Sequence, residues 1–89
     1  MAWLNLTTPH TMLNLGVKVM ENNVLIAFGK NLVKIRKELG WSQEQLAIAS
    51  GIGRSYMSGI ERGQRSLGLL NIVRLAETMK IKPSVLLDF

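Results

Sequence analysis

The chain has 89 residues, 47% of them apolar and only 19% charged, which describes one small folded domain rather than a disordered segment. Eleven basic against six acidic residues leave a formal charge of +5, and that excess points to an anionic partner, nucleic acid or a membrane surface. With no cysteine, a disulfide framework and a zinc finger are excluded, and the single histidine, His10, argues against a His-based metal or triad site. No apolar run approaches the ~20 residues of a membrane span. The N-terminus lacks the basic and apolar regions of a secretory signal, so a reduced, cytoplasmic setting is expected.

Residues 1–23 stand apart. Lys18 and Glu21 cancel, so the whole excess charge lies in residues 24–89. Pro9 and the polar run Thr7, Thr8, His10 and Thr11 interrupt any periodicity, and apolar residues alternate over 13–19 as in a strand. The segment reads as a flexible or weakly structured tail, or as a short strand added at an edge, with His10 in a solvated loop. Gly16-Val17 can be encoded GGA-GTG, a ribosome-binding GGAG shortly before Met20, so residues 1–19 are also readable as translated upstream sequence.

From residue 24 the pattern is helical. Val24, Phe28, Leu32, Ile35 and Leu39 recur at four- and three-residue steps and predict an amphipathic helix that stops at Gly40. Ser42-Gln43-Glu44-Gln45 is a capping box that opens a short helix to Ser50, with Leu46, Ala47 and Ala49 available for packing. Gly51-Ile52-Gly53 is a tight turn with one apolar plug. Arg54 to Arg62 forms a third helix with Met57 and Ile60 inward; Gly63 ends it, and Gln64 to Gly68 is a loop. Leu69, Ile72, Val73, Ala76 and Met79 mark a fourth helix, and Pro83 and Ser84 begin a short fifth. The expected fold class is all-α: five short helices around one core, with no internal repeat.

Residues 42–63 carry the functional reading. Two short helices joined by a glycine-flanked turn and meeting at a large angle form a helix-turn-helix. Ala47 lets the second helix cross the first closely, and Ile52 pins the turn. Arg54, Ser55, Tyr56, Ser58 and Gly59 then face outward, on a helix of a width that fits the B-DNA major groove.

At this point the chain resembles the phage repressor and Cro (XRE) family of helix-turn-helix domains over about residues 28–87. The strings that carry the likeness are Ile35-Arg36-Lys37-Glu38-Leu39-Gly40-Trp41-Ser42-Gln43-Glu44-Gln45-Leu46-Ala47 and Ser58-Gly59-Ile60-Glu61-Arg62-Gly63. Arg54 to Arg62 with Arg65 and Leu67 looks most like the controller proteins of restriction–modification systems. The resemblance implies a lambda-repressor-like DNA-binding fold in which Arg54 is the main base-reading residue, able to fork onto guanine O6 and N7. Ser55, Tyr56, Ser58, Gly59 and Arg65 join it along the groove, Tyr56 probing a deformable step or packing inward. Gln43, at the N-terminus of the second helix, and Arg62 and Gln64 are expected on phosphates. Glu61 is expected to pair with Arg36 in a partly buried ion pair, and Trp41 to cap the core. Gly53, Gly68 and Lys80 depart from the residues commonly found at those helix ends.

The sequence thus predicts a non-catalytic regulator that binds double-stranded DNA as a homodimer on a near-palindromic operator, without cofactor, metal or small-molecule substrate. Ile81, Val85, Leu86, Leu87 and Phe89 are the expected dimer surface. The competing readings are a phage-type repressor, an antitoxin-type regulator, and a helical protein-interaction module without DNA binding. No carboxylate pair, nucleophile–base set or phosphate loop suggests an enzyme.

Overall fold

A single helix, α1, runs from His10 to Glu38 in the computed structural model, which describes residues 10–89 and their side chains from residue 16 onward. The expected strand over 13–19 and the loop at His10 are therefore corrected: both stretches are helical. The side chain of His10 and residues 1–9, Pro9 among them, lie outside the described residues. An edge strand needs a neighbour to take its backbone hydrogen bonds, and there is no strand among the described residues. A helix satisfies those bonds within itself. Residues 16–24 are all exposed, so the change of composition near residue 23 marks where α1 begins to bury side chains, not where it begins.

Four shorter helices follow: α2 (Gln43–Ser50), α3 (Arg54–Glu61), α4 (Leu69–Met79) and α5 (Pro83–Leu86). Their ends follow local chemistry. Gly40 and Gly51 adopt φ of 81° and 73°, closing α1 and turning the chain out of α2. At the start of α2 the Ser42 hydroxyl accepts from the Gln45 N–H at 3.0 Å, and the Gln45 side chain accepts from the Ser42 N–H at 3.0 Å. Gly53 and Gly68 precede α3 and α4 without a side-chain cap. Lys80 takes the left-handed conformation after α4, at φ 59°, where a glycine would cost less.

All five helices supply the core. Phe28, Leu32 and Ile35 of α1 meet Leu46 and Ala47 of α2, Ile52 of the turn, Met57 and Ile60 of α3, Leu75, Ala76 and Met79 of α4, and Leu86 of α5. Trp41 packs against this cluster as expected. Spacing misjudged the ends of the helices. Val24, Leu39 and Leu69 are exposed, because each lies where its helix overhangs or leaves the globule. Leu75, not counted from the pattern, is fully buried.

The C-terminal segment is corrected as well. Leu86, expected on a dimer surface, has no exposed area, and Ile81 is half-buried against the core. Asn31 fixes this end of the chain: its side-chain amide donates to the carbonyls of Val85 (3.0 Å) and Leu86 (2.9 Å). Val85, Leu87 and Phe89 remain exposed, and the Phe89 ring stands edge-on to Phe28 with centroids 6.2 Å apart. Among the described residues no helix is long and apolar enough to cross a membrane.

Candidate nucleic-acid interface

The start of α2 is capped by a side chain and the start of α3 is not. Arg54 is the first residue of α3, and Ser55 follows it; both are exposed. Met57 and Ile60, buried at 0% and 1%, hold the opposite face of α3 in the core. The position of Arg54 is therefore set by what lies beneath it. Its guanidinium meets Glu44 of α2, Nη2 to Oε1 at 2.9 Å, with both side chains well exposed (68% and 60%). Glu44 had no assigned role in the sequence. No local signal marks it: Glu44 lies at the end of α2 far from the glycine turn, and only the packing of α2 on α3 brings it to Arg54.

The other expected contacts sort differently. Gln43 is half-buried, and its side-chain amide donates to Glu61 Oε1 at 2.8 Å. That side chain is committed to the protein, so a phosphate at this helix start would meet backbone N–H groups instead. Tyr56 is half-buried against the core, and its hydroxyl donates to the Ser66 carbonyl at 2.6 Å. Ser58 is half-buried and accepts from Arg62 Nη1. Gly59 is buried rather than lying open along the groove. The side chain of Arg65 covers it: a Cβ built on Gly59 would lie 2.5 Å from Arg65 Cγ.

Beyond α3 the chain presents a cationic edge. Arg62, Gln64 and Arg65 are exposed. Arg62 Nε donates to Gln64 Oε1 at 3.3 Å. The Arg65 guanidinium sits 5.6 Å from the centre of the Tyr56 ring, within cation–π range. The one acid of this stretch, Glu61, is neutralised from behind. Arg36 Nε and Nη2 donate to its two carboxylate oxygens at 2.7 and 2.9 Å, while Nη1 bonds the Trp41 carbonyl. The expected Arg36–Glu61 pair is present, nearly buried on both sides. What faces solvent is thus Arg54, Arg62 and Arg65, with Glu44 beside Arg54 and the exposed Glu21 of α1 lining the same cleft as Gln64 and Arg65. Such a surface attracts a polyanion and offers forked donors to base edges. It holds no nucleophile–base pair.

A helix-turn-helix family model matches residues 32–86. The control protein C.BamHI of Bacillus amyloliquefaciens is 39% identical over 71 residues, which are 79% of this chain and 88% of that protein. The control protein C.MunI of a Mycoplasma species is 38% identical over 66 residues, 73% of this chain and 89% of that one. Among solved structures, the restriction–modification controller protein C.AhdI from Aeromonas hydrophila superimposes with a TM-score of 0.67 at 48% identity, covering 70% of this chain and 94% of that one.

Proposed function

The chain belongs to the helix-turn-helix family and is a DNA-binding transcriptional regulator; from that premise we propose that it is the controller protein of a restriction–modification system, cytoplasmic and acting as a homodimer on a near-palindromic operator. The likeness to C.BamHI, C.MunI and C.AhdI supports the controller reading. The observation that carries DNA binding is the outer face of α3 and the loop after it, where three arginines are exposed and Glu61 is neutralised from within.

In this reading Arg54 and Ser55 meet base edges in the major groove, and Arg65 swings from Tyr56 to reach a base from the following loop. Tyr56 acts as the platform for Arg65. Arg62, Gln64 and the backbone N–H groups at the start of α2 grip phosphates, which set register without reading sequence. Ser58 supports Arg62, and Gly59 contributes space for Arg65. One such unit reads only about four to six base pairs. A two-fold dimer places two recognition helices about 34 Å apart and doubles the site. Val85, Leu87 and Phe89, exposed in and after α5, are the surface for that pairing.

Selection of bound sequences from random DNA tests the proposal. The expected result is two related half-sites in inverted orientation, centred about one helical turn apart. Recovery of no common sequence, or of a single unpaired half-site, overturns operator binding as a dimer. The gene beside this one separates the regulator classes: a restriction endonuclease is expected, and a small toxin gene points to the antitoxin type.

A further inference from the structure

We propose that Glu44 is a specificity-determining residue: it holds the Arg54 guanidinium in place for guanine and penalises other acceptors. This rests on the assignment of Arg54 to base reading. Arg54 opens α3, where a cation opposes the helix dipole. Glu44 lies in the first turn of α2, where an acid suits the dipole, and its carboxylate meets Arg54 Nη2 at 2.9 Å. Both groups are mostly solvated, so the pair contributes little to the fold. Its consequence lies in how it prepares Arg54.

A guanidinium carries five N–H donors, and this ion pair uses one of them. Recognition of guanine O6 and N7 takes two more. Arg54 can therefore keep Glu44 and bind guanine together. An arginine already held by a carboxylate has less rotamer freedom left to lose on reaching the base. The same carboxylate repels a base acceptor that does not come with Arg54 between them, such as thymine O4. It thus supplies the repulsive element that selectivity needs alongside the attractive one.

The test uses the full chain and the half-site recovered from random DNA. Affinity is measured by competition for all four bases at each position, and for random DNA, with the wild type and four variants. Arg54→Ala identifies the position that Arg54 reads. Glu44→Gln is expected to lower guanine preference at that position about two- to tenfold, to leave other positions unchanged, and to tighten binding to random DNA. Glu44→Asp keeps the charge but shortens the reach, so it loses the same preference without gaining affinity for random DNA. Glu77→Gln removes an exposed acid on α4 and shifts all sequences alike. If Arg54→Ala flattens a position but Glu44→Gln acts there no differently from Glu77→Gln, the positioning role is overturned and the reading of Arg54 stands. If Glu44→Gln relaxes a different position, Glu44 reads a base itself and the proposal falls. If Arg54→Ala flattens no position, the assignment of Arg54 fails, and the role of Glu44 fails with it.

Discussion

Arg65 lies across Gly59 so closely that a Cβ on the glycine would come within 2.5 Å of Arg65 Cγ. The stem of the arginine fills the space a side chain would take, and its guanidinium ends over the Tyr56 ring. Gly59→Ala must displace Arg65. The obstacle is a flexible side chain, and alanine favours the helix by up to about 1 kcal/mol, so thermal unfolding is expected to stay near wild type while operator affinity drops.

Gly29→Ala is expected to behave in the opposite way. A Cβ there would lie 2.6 Å from the Ile60 carbonyl oxygen and 2.7 Å from that of Glu61. These are backbone atoms at the end of α3 and cannot swing aside. Since α1 and α3 must separate to admit the methyl group, thermal unfolding should fall well below that of Gly59→Ala, with DNA binding lost only through the fold.

The Arg36–Glu61 pair sets a third expectation. Both side chains are nearly buried, and Glu61 also accepts from Gln43. Glu61→Ala leaves the arginine charged without its partner, a change that costs about 3–5 kcal/mol for a buried pair. Urea denaturation measures it. Replacing both residues with apolar ones of similar size is expected to cost less than the single change.

On DNA, Arg54→Ala is expected to cost about 1–3 kcal/mol on the operator and to relax one base position. Arg62→Ala is expected to weaken binding to every sequence and to flatten the dependence of affinity on salt by about one unit of slope. Titration of operator and random DNA at several salt concentrations separates the two, and identical behaviour would mean that the division into base-reading and phosphate-gripping arginines is wrong.

Pairing through the C-terminal segment must be tested at its exposed residues. A cut after Pro83 would also remove Leu86, whose loss from a core costs about 2–5 kcal/mol even as a change to alanine, and with it the carbonyls that Asn31 holds. Leu87→Glu leaves those contacts in place. Sedimentation is expected to show a folded monomer with much weaker operator binding; a dimer that survives the change moves the interface elsewhere.

Much of the fold was legible in the residues. The capping box at Ser42, the turn at Gly51, the inward Met57 and Ile60 and the order of helices from residue 24 all follow from interactions within a few positions along the chain. Local rules of this kind need no knowledge of neighbours. The N-terminal half of α1 was not legible, because alternation over 13–19 suits a strand only where a sheet exists to receive it.

The sequence by itself determined a small basic helix-turn-helix domain, the residues that bound its helices from α2 onward, and that Arg54, Arg62 and Arg65 belong to its outer side. Only the tertiary structure decided what those side chains touch. Gln43 turned from phosphate to Glu61, Gly59 went beneath Arg65, Tyr56 gave its hydroxyl to Ser66, Leu86 entered the core, and Glu44 came to face Arg54. The contacts of Gln43, Leu86 and Glu44 depend on the angles at which helices meet, which are set by the packing of the whole core rather than by neighbours in the chain, and those of Gly59 and Tyr56 on how the loop after α3 folds back over it.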